Sequence, residues 1–179
     1  MGYIYAPWKV NECMGRHFID ILHYISKEDL SKLSTIHSNY LYYYNGITRE
    51  LGEERLNVTK PVLKTIMTQA DDAISGKSGL CANLRYSHDT ACIPLFCLMG
   101  LEGYTLAPSF SEVWDSWQCK DMMPMGTNLQ IAFFRKKNCE RILVKFLLNE
   151  KEISIPAIGN VSGPYYDWQD VKSYWESRI

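Results

Sequence analysis

The strongest constraint on this chain lies between residues 80 and 100. Leu80-Cys-Ala-Asn-Leu-Arg-Tyr86 alternates apolar and polar side chains, the two-residue period of a β-strand. His88 and Asp89 follow where that pattern ends, a helix is expected from about Thr90, and the apolar run Ile93–Leu98 is closed by Gly100. A strand that hands over to a helix within a few residues makes an α/β corner. The first free N–H groups of the helix and the positive end of its dipole then point at one place. Such corners are where α/β proteins seat ligands, anions especially. Pro94 falls early in the helix, where its missing N–H is tolerable.

Elsewhere the pattern alternates between helix and sheet. Asn11 to Ile25 places Cys13, His17, Ile21 and Tyr24 near one face of a first helix. Ser26 followed by Asp29 is a capping box with Asp in place of Glu, opening a second helix through Leu30, Leu33 and Ile36. That helix ends near Asn45-Gly46, and the tyrosines at 40 and 42–44 brace it against its neighbours. Residues 51–60 are loop-like. Pro61 then suits the first turn of a helix whose stripe is Val62, Ile66, Ala70, Ala73 and Ile74, stopped by Gly76. Leu129–Arg135 and Ile142–Leu148 form a hairpin, with a third short strand expected at Glu152–Pro156. Asp167 caps a final helix through Val171, Tyr174 and Trp175.

The chain has 179 residues, 46% hydrophobic and 22% charged, enough to build a core and unlike a disordered segment. Nineteen basic side chains face twenty acidic ones, so no field points to nucleic acid or an anionic membrane. No apolar run approaches the ~20 residues of a membrane span, and Met1 to Trp8 lacks the regions of a signal peptide. The six cysteines form no Cys-x-x-Cys pair and have no His at zinc-finger spacing, so they read as free thiols. Asn57-Val-Thr59 and Asn160-Val-Ser162 are glycosylation triplets of a kind that arises easily by chance.

At the corner, His88 and Asp89 divide labour naturally. An imidazole that donates a hydrogen bond stabilises a phosphoryl oxygen, and a carboxylic acid protonates a leaving alkoxide. The acid must hold its proton until it is needed, which a polyanionic substrate close by favours. By itself this pattern leaves open a plainer role, in which Asp89 caps the helix and His88 packs locally.

Leu84-Arg-Tyr-Ser-His-Asp-Thr90, continued by Ile93-Pro-Leu-Phe-Cys-Leu-Met-Gly-Leu101, is similar to the C-terminal active-site segment of the histidine acid phosphatases. These form the two-domain branch of the histidine phosphatase superfamily, with phytases, glucose-1-phosphatases and multiple inositol polyphosphate phosphatases. Pro61–Gly76, Gly126–Arg135, Ile142–Lys151 and Tyr165–Val171 resemble, in order, the flanking helix, the next sheet strand and the tail of bacterial members. The likeness covers residues 57–179 and implies an α/β fold. It would be a partial three-layer α/β/α domain at 57–179, with residues 1–56 a portion of the helical cap and the N-terminal nucleophile strand lacking.

The resemblance also implies chemistry. In this family a histidine in Arg-His-Gly-x-Arg attacks phosphorus and a phosphohistidine is then hydrolysed. Carried over, Asp89 is the proton donor, His88 contacts the phosphoryl oxygens, and Thr90 and Arg85 join them in binding the substrate. No metal or other cofactor is implied, because cationic side chains do that work. The Asp at 89 departs from the His-Ala-Glu of multiple inositol polyphosphate phosphatases and points to the phytase or glucose-1-phosphatase pattern, with an inositol or sugar phosphate as substrate. Family likeness suggests a periplasmic or secreted setting.

The nucleophile motif is not in this sequence. Histidines stand at 17, 23, 37 and 88, and none is followed by Gly-x-Arg. Arg16-His17 is the one Arg-His pair, and it lies in a helical pattern. Gly-x-Ser-x-Gly, P-loop and His-Glu-x-x-His motifs are also lacking. The expectation is an incomplete catalyst that pairs with an N-terminal half or self-associates. The alternative is a module that binds phosphate without cleaving it. A thiol enzyme using Cys92 or Cys97 is disfavoured, because both sit in the apolar helix pattern.

Overall fold

The computed structural model describes residues 24–179. The helix expected at Asn11–Ile25 lies almost wholly outside them. The chain divides into two compact units, residues 1–37 and 38–179, and helix α1 (Lys27–Asn45) spans the division. At its start the Asp29 N–H donates to Ser26 Oγ at 3.0 Å. The Ser26 hydroxyl in turn donates to the Asp29 carboxylate at 2.7 Å. The first of these bonds is half of the capping box that the sequence predicts; in the other half the carboxylate takes the Ser26 hydroxyl in place of its backbone N–H.

In the second unit, the tyrosines of α1 separate by face. Tyr42 is fully buried, its ring centroid 4.9 Å from that of Trp117 and its hydroxyl donating to the Leu106 carbonyl at 2.7 Å. Tyr40 and Tyr44 stay exposed. Residues 51–60, expected as loop, include a 3-10 turn at Glu54–Thr59. Helix α2 (Lys60–Ile74) follows, with Pro61 in its first turn as expected. Its buried residues are Leu63 and Met67, with Ile66, Ala70 and Ile74 packed beside them. Val62 and Ala73 face solvent, so the expected stripe is turned by one position. Leu63, Ile66, Met67, Ala70 and Ile74 satisfy the 3.6-residue period better, and that face meets the core.

Helix α3 (Asp89–Met99) is the most apolar helix and buries Ile93, Pro94 and the run from Phe96 to Met99. Gly100 closes it in the left-handed region at φ +75. Its N–H returns to the Cys97 carbonyl, and the Leu101 N–H to that of Phe96, the backbone pattern of a left-handed helix stop. Two four-residue helices follow, α4 (Val113–Ser116) and α5 (Cys119–Met122).

The sheet is antiparallel. Strands β1 (Leu129–Arg135) and β2 (Ile142–Leu148) pair over their whole lengths, from Leu129 opposite Leu148 to Arg135 opposite Ile142. The third strand expected at Glu152–Pro156 does not form over that span; β3 (Lys151–Glu152), which shares only Glu152 with it, pairs with the end of β2. The unexpected β4 (Tyr166–Asp167) pairs with the start of β2. Helix α6 (Trp168–Glu176) leaves β4 directly. Its cap is Asp167, whose carboxylate accepts from the Gln169 N–H at 3.0 Å. Trp168 and Trp175 of α6 pack edge-on to each other, and Trp175 packs against Phe146 of β2. The result is a mixed α/β fold in which helices cover a small sheet.

One expected element does not form. Residues 80–86 are not a strand, and every residue from 79 to 88 is exposed. A strand exists through its ladder, and among the described residues no hydrogen bond engages the backbone of residues 81–87. The described cysteines, at 81, 92, 97, 119 and 139, are free thiols. No described helix is long and apolar enough to cross a membrane.

Candidate functional site

His88 is the N-cap of α3. Its backbone is extended, at φ −101 and ψ 160, and its carbonyl accepts from the N–H groups of Ala91 and Cys92, each at 3.0 Å. The imidazole makes no capping bond and stands exposed. Asp89 is the first helical residue and is half-buried. Its carboxylate accepts from the Thr90 N–H at 2.8 Å, which places negative charge at the positive end of the helix, where it is favoured. His88, Asp89 and Thr90 therefore meet at one corner.

That corner opens to solvent, and a coil rather than a strand leads into it. Two concavities of the described surface lie elsewhere. One, of about 720 Å³, is lined by residues that include Arg141, Asn160, Asp170 and Tyr174. The other, of about 470 Å³, is lined by Arg135, Asn138, Cys139 and Glu140. His88 and Asp89 line neither of them.

Arg85 is held on α2. Its guanidinium donates to Gln69 Oε1 on α2 at 2.5 Å, and Asn83 Nδ2 donates to the same oxygen at 2.6 Å. Asn83 and Arg85 are thus both held against α2, while Leu84, Tyr86 and His88 are exposed. Gln69 is the residue that sequence reasoning missed. It lies 14 and 16 positions from its partners, and no local pattern announces a contact at such a distance.

The thiols are placed for packing. Cys97 is fully buried, and burial pushes its thiol up to about 12. Cys92 is also raised, first by burial and then by the negative charge of Asp89, against a hydrogen bond from Ser87. A nucleophilic cysteine needs the opposite shift.

The far end of α3 is held by the C-terminal residues. Trp175 Nε1 donates to the Met99 carbonyl at 3.0 Å. Arg178 Nε donates to the Leu98 carbonyl at 2.9 Å. These bonds satisfy carbonyls that a helix end leaves open and put a cation where the dipole favours one.

Comparison with known proteins gives one finding. The family model of the histidine phosphatase superfamily (branch 2) matches residues 8–149. The match takes in the corner, reaches back through residues 8–56 and covers most of Ile142–Lys151, but it ends before Tyr165–Val171, where likeness was also expected. No curated protein matches the chain. With the matched span running from ahead of α1 to the end of β2 and α3 opening on His88-Asp89-Thr90, the chain belongs to the histidine phosphatase superfamily (branch 2).

Proposed function

We propose that this chain supplies the acid wall of a histidine-type phosphomonoesterase. Membership of the family supports a phosphatase-type function. The observation that carries the finer reading is the position of His88 and Asp89 together on the N-terminus of α3, where a phosphoryl group would meet helix N–H groups and a carboxyl at once. In this reading His88 and Thr90 hold the phosphoryl oxygens. Asp89 hands its proton to the leaving alkoxide oxygen as the P–O bond breaks. A histidine from an Arg-His-Gly-x-Arg motif, which residues 1–179 do not contain, takes the phosphoryl group and releases it to water. Inositol phosphates are the first substrate class to examine, and sugar phosphates the second. We propose an exported setting on the family likeness alone.

Hydrolysis of p-nitrophenyl phosphate and phytate between about pH 4 and 7, where carboxyl acids change role, tests the reading. The chain alone should turn over neither substrate appreciably. Adding a polypeptide that bears Arg-His-Gly-x-Arg should raise turnover, and Asp89→Asn should cut the restored rate by about 10²–10⁴. Robust turnover by the chain alone overturns the division of roles.

A second reading is a module that binds phosphate without cleaving it. It draws on the fact that none of the four histidines is followed by Gly-x-Arg. Calorimetric binding of inorganic phosphate or myo-inositol hexakisphosphate, with no turnover even after the complementing polypeptide is added, would favour it.

A further inference from the structure

We infer, on the phosphate reading of the corner, that an anion arriving at the start of α3 displaces the Asp89 carboxylate from the Thr90 N–H, and that Asp89 takes up a proton as it is displaced. The first-turn N–H groups lead to this. Those of Ala91 and Cys92 point back to the His88 carbonyl, each at 3.0 Å. That of Thr90 donates to Asp89 Oδ1 at 2.8 Å. Two of the donors that a helix start offers an anion are therefore engaged by the backbone, and a third already holds an anion, the protein's own. A phosphoryl oxygen bound by Thr90 has to take that N–H from the carboxylate.

Displacement acts on the carboxyl twice. It removes a hydrogen bond that favours the charged form, and it sets a second anion beside the group, which disfavours that form. Both effects drive Asp89 toward the neutral acid. The titratable groups next to it do not oppose them. Cys92, one turn on, is kept as a neutral thiol by burial and by the charge of Asp89, so it offers no cation to the carboxylate. His88 precedes Asp89 and, in the phosphate reading, gives its imidazole to the phosphoryl oxygens. The proton comes from solvent and sits on the carboxyl as O–H. It passes to the leaving alkoxide oxygen as the P–O bond breaks, and the carboxylate so regenerated returns to the Thr90 N–H once the phosphoryl group has gone. A catalytic carboxyl kept protonated by burial needs an apolar pocket. Asp89 is only half-buried, and a proton that arrives with the substrate makes such a pocket unnecessary.

Sulfate is the probe, because it stays fully charged in mildly acid solution and brings no proton of its own. The full chain is titrated with it between about pH 3.5 and 5.5, where ordinary carboxyls change charge and an ordinary imidazole is already protonated. Nuclear magnetic resonance follows the Thr90 amide and the Asp89 carboxyl carbon. Sulfate should move the Thr90 amide and shift the Asp89 carboxyl toward its protonated position. Its affinity should fall as pH rises, by at most about tenfold per pH unit, the limit for one proton taken up. Asp89→Asn has no proton to take up and should flatten that fall. A Thr90 amide indifferent to sulfate overturns the phosphate reading and this inference together. A Thr90 amide that responds while the Asp89 carboxyl stays charged, or a pH dependence undiminished in Asp89→Asn, overturns the inference and leaves the phosphate reading standing.

Discussion

Arg178, one residue from the end of the chain, donates to the carbonyl of Leu98 in the last turn of the helix whose first turn carries His88 and Asp89. The same guanidinium sits 3.5 Å from a Glu53 carboxylate oxygen and over the ring of Tyr174. A tail outside the matched family span therefore closes the helix on which the family's corner is built. Trp168, Val171 and Trp175 lie wholly in the core, which makes that tail part of the folding unit.

Arg178→Ala should lower stability by about 1.5–3 kcal/mol, the range for a hydrogen bond from a charged group. Deleting residues 150–179 should abolish cooperative unfolding, because it removes two buried tryptophans and uncovers the core around Phe146 against which Trp175 packs. Urea unfolding followed by tryptophan fluorescence measures the first effect and far-ultraviolet circular dichroism the second. A truncated chain that melts cooperatively would show the tail to be dispensable.

Gly100 is held by two requirements at once. Its φ of +75 is strained for any residue with a Cβ. A Cβ there would also stand 2.8 Å from Cε1 of Tyr174, inside contact distance. Gly100→Ala should cost about 1–3 kcal/mol, more than the backbone term alone. Adding Tyr174→Ala should recover the steric part of that loss and leave the conformational part. Chemical denaturation of the single and double variants separates the two.

Asp71 ties α2 to α6 by accepting from Trp168 Nε1 at 2.8 Å and from Lys172 Nζ at 2.6 Å. Partial burial opposes its charge, but the bonds from Lys172 and Trp168 outweigh it and hold the carboxyl below its ordinary value. A carboxyl depressed in the folded state binds fewer protons there than in the unfolded chain. Its stabilisation is therefore present above the unfolded value of about 3.9 and is lost as pH falls through the lower folded value. Lys172 is raised, by its bond to Asp71 first, so its share persists until alkaline pH. The side chain of Asp71 is 37% exposed, and solvent screening limits the pair to roughly 0.5–1 kcal/mol. Melting temperatures of the parent and Asp71→Asn should differ most at pH 6–8 and converge near pH 2–3. A constant difference across that range would mean that the carboxylate charge is not what stabilises the contact.

What could be read from the sequence followed the range of the forces involved. The β1–β2 hairpin, the Ser26–Asp29 and Asp167 caps and the Gly100 stop depend on residues a few positions apart, and each formed where its local pattern put it. The face of α2 turned by one position because several apolar residues competed for the core and tertiary packing chose among them. The segment 80–86 carries a clear strand pattern yet forms no strand, because its ladder needs a partner that alternation cannot supply. At the candidate site, the meeting of His88, Asp89 and Thr90 was legible as a helix start. The tether of Arg85 to Gln69 was not, since it joins residues with no shared period.

That tether separates Arg85 from His88 by role. Phosphate held at the start of α3 would meet the imidazole of His88 and the first-turn N–H groups, while Arg85 stays on Gln69. A charge-assisted hydrogen bond is worth about 1.5–3 kcal/mol, or roughly 10- to 100-fold in affinity. Calorimetric titration with inorganic phosphate should show His88→Ala weakening binding about tenfold or more, and Arg85→Ala changing it less than about twofold. Gln69→Ala releases the guanidinium, and if the freed side chain swings to the corner, phosphate binding tightens in that variant and returns to the parent value in Gln69→Ala/Arg85→Ala. A tenfold loss in Arg85→Ala alone would mean instead that Arg85 leaves Gln69 when phosphate arrives, and that the corner binds through a cation held on Gln69 in the free protein.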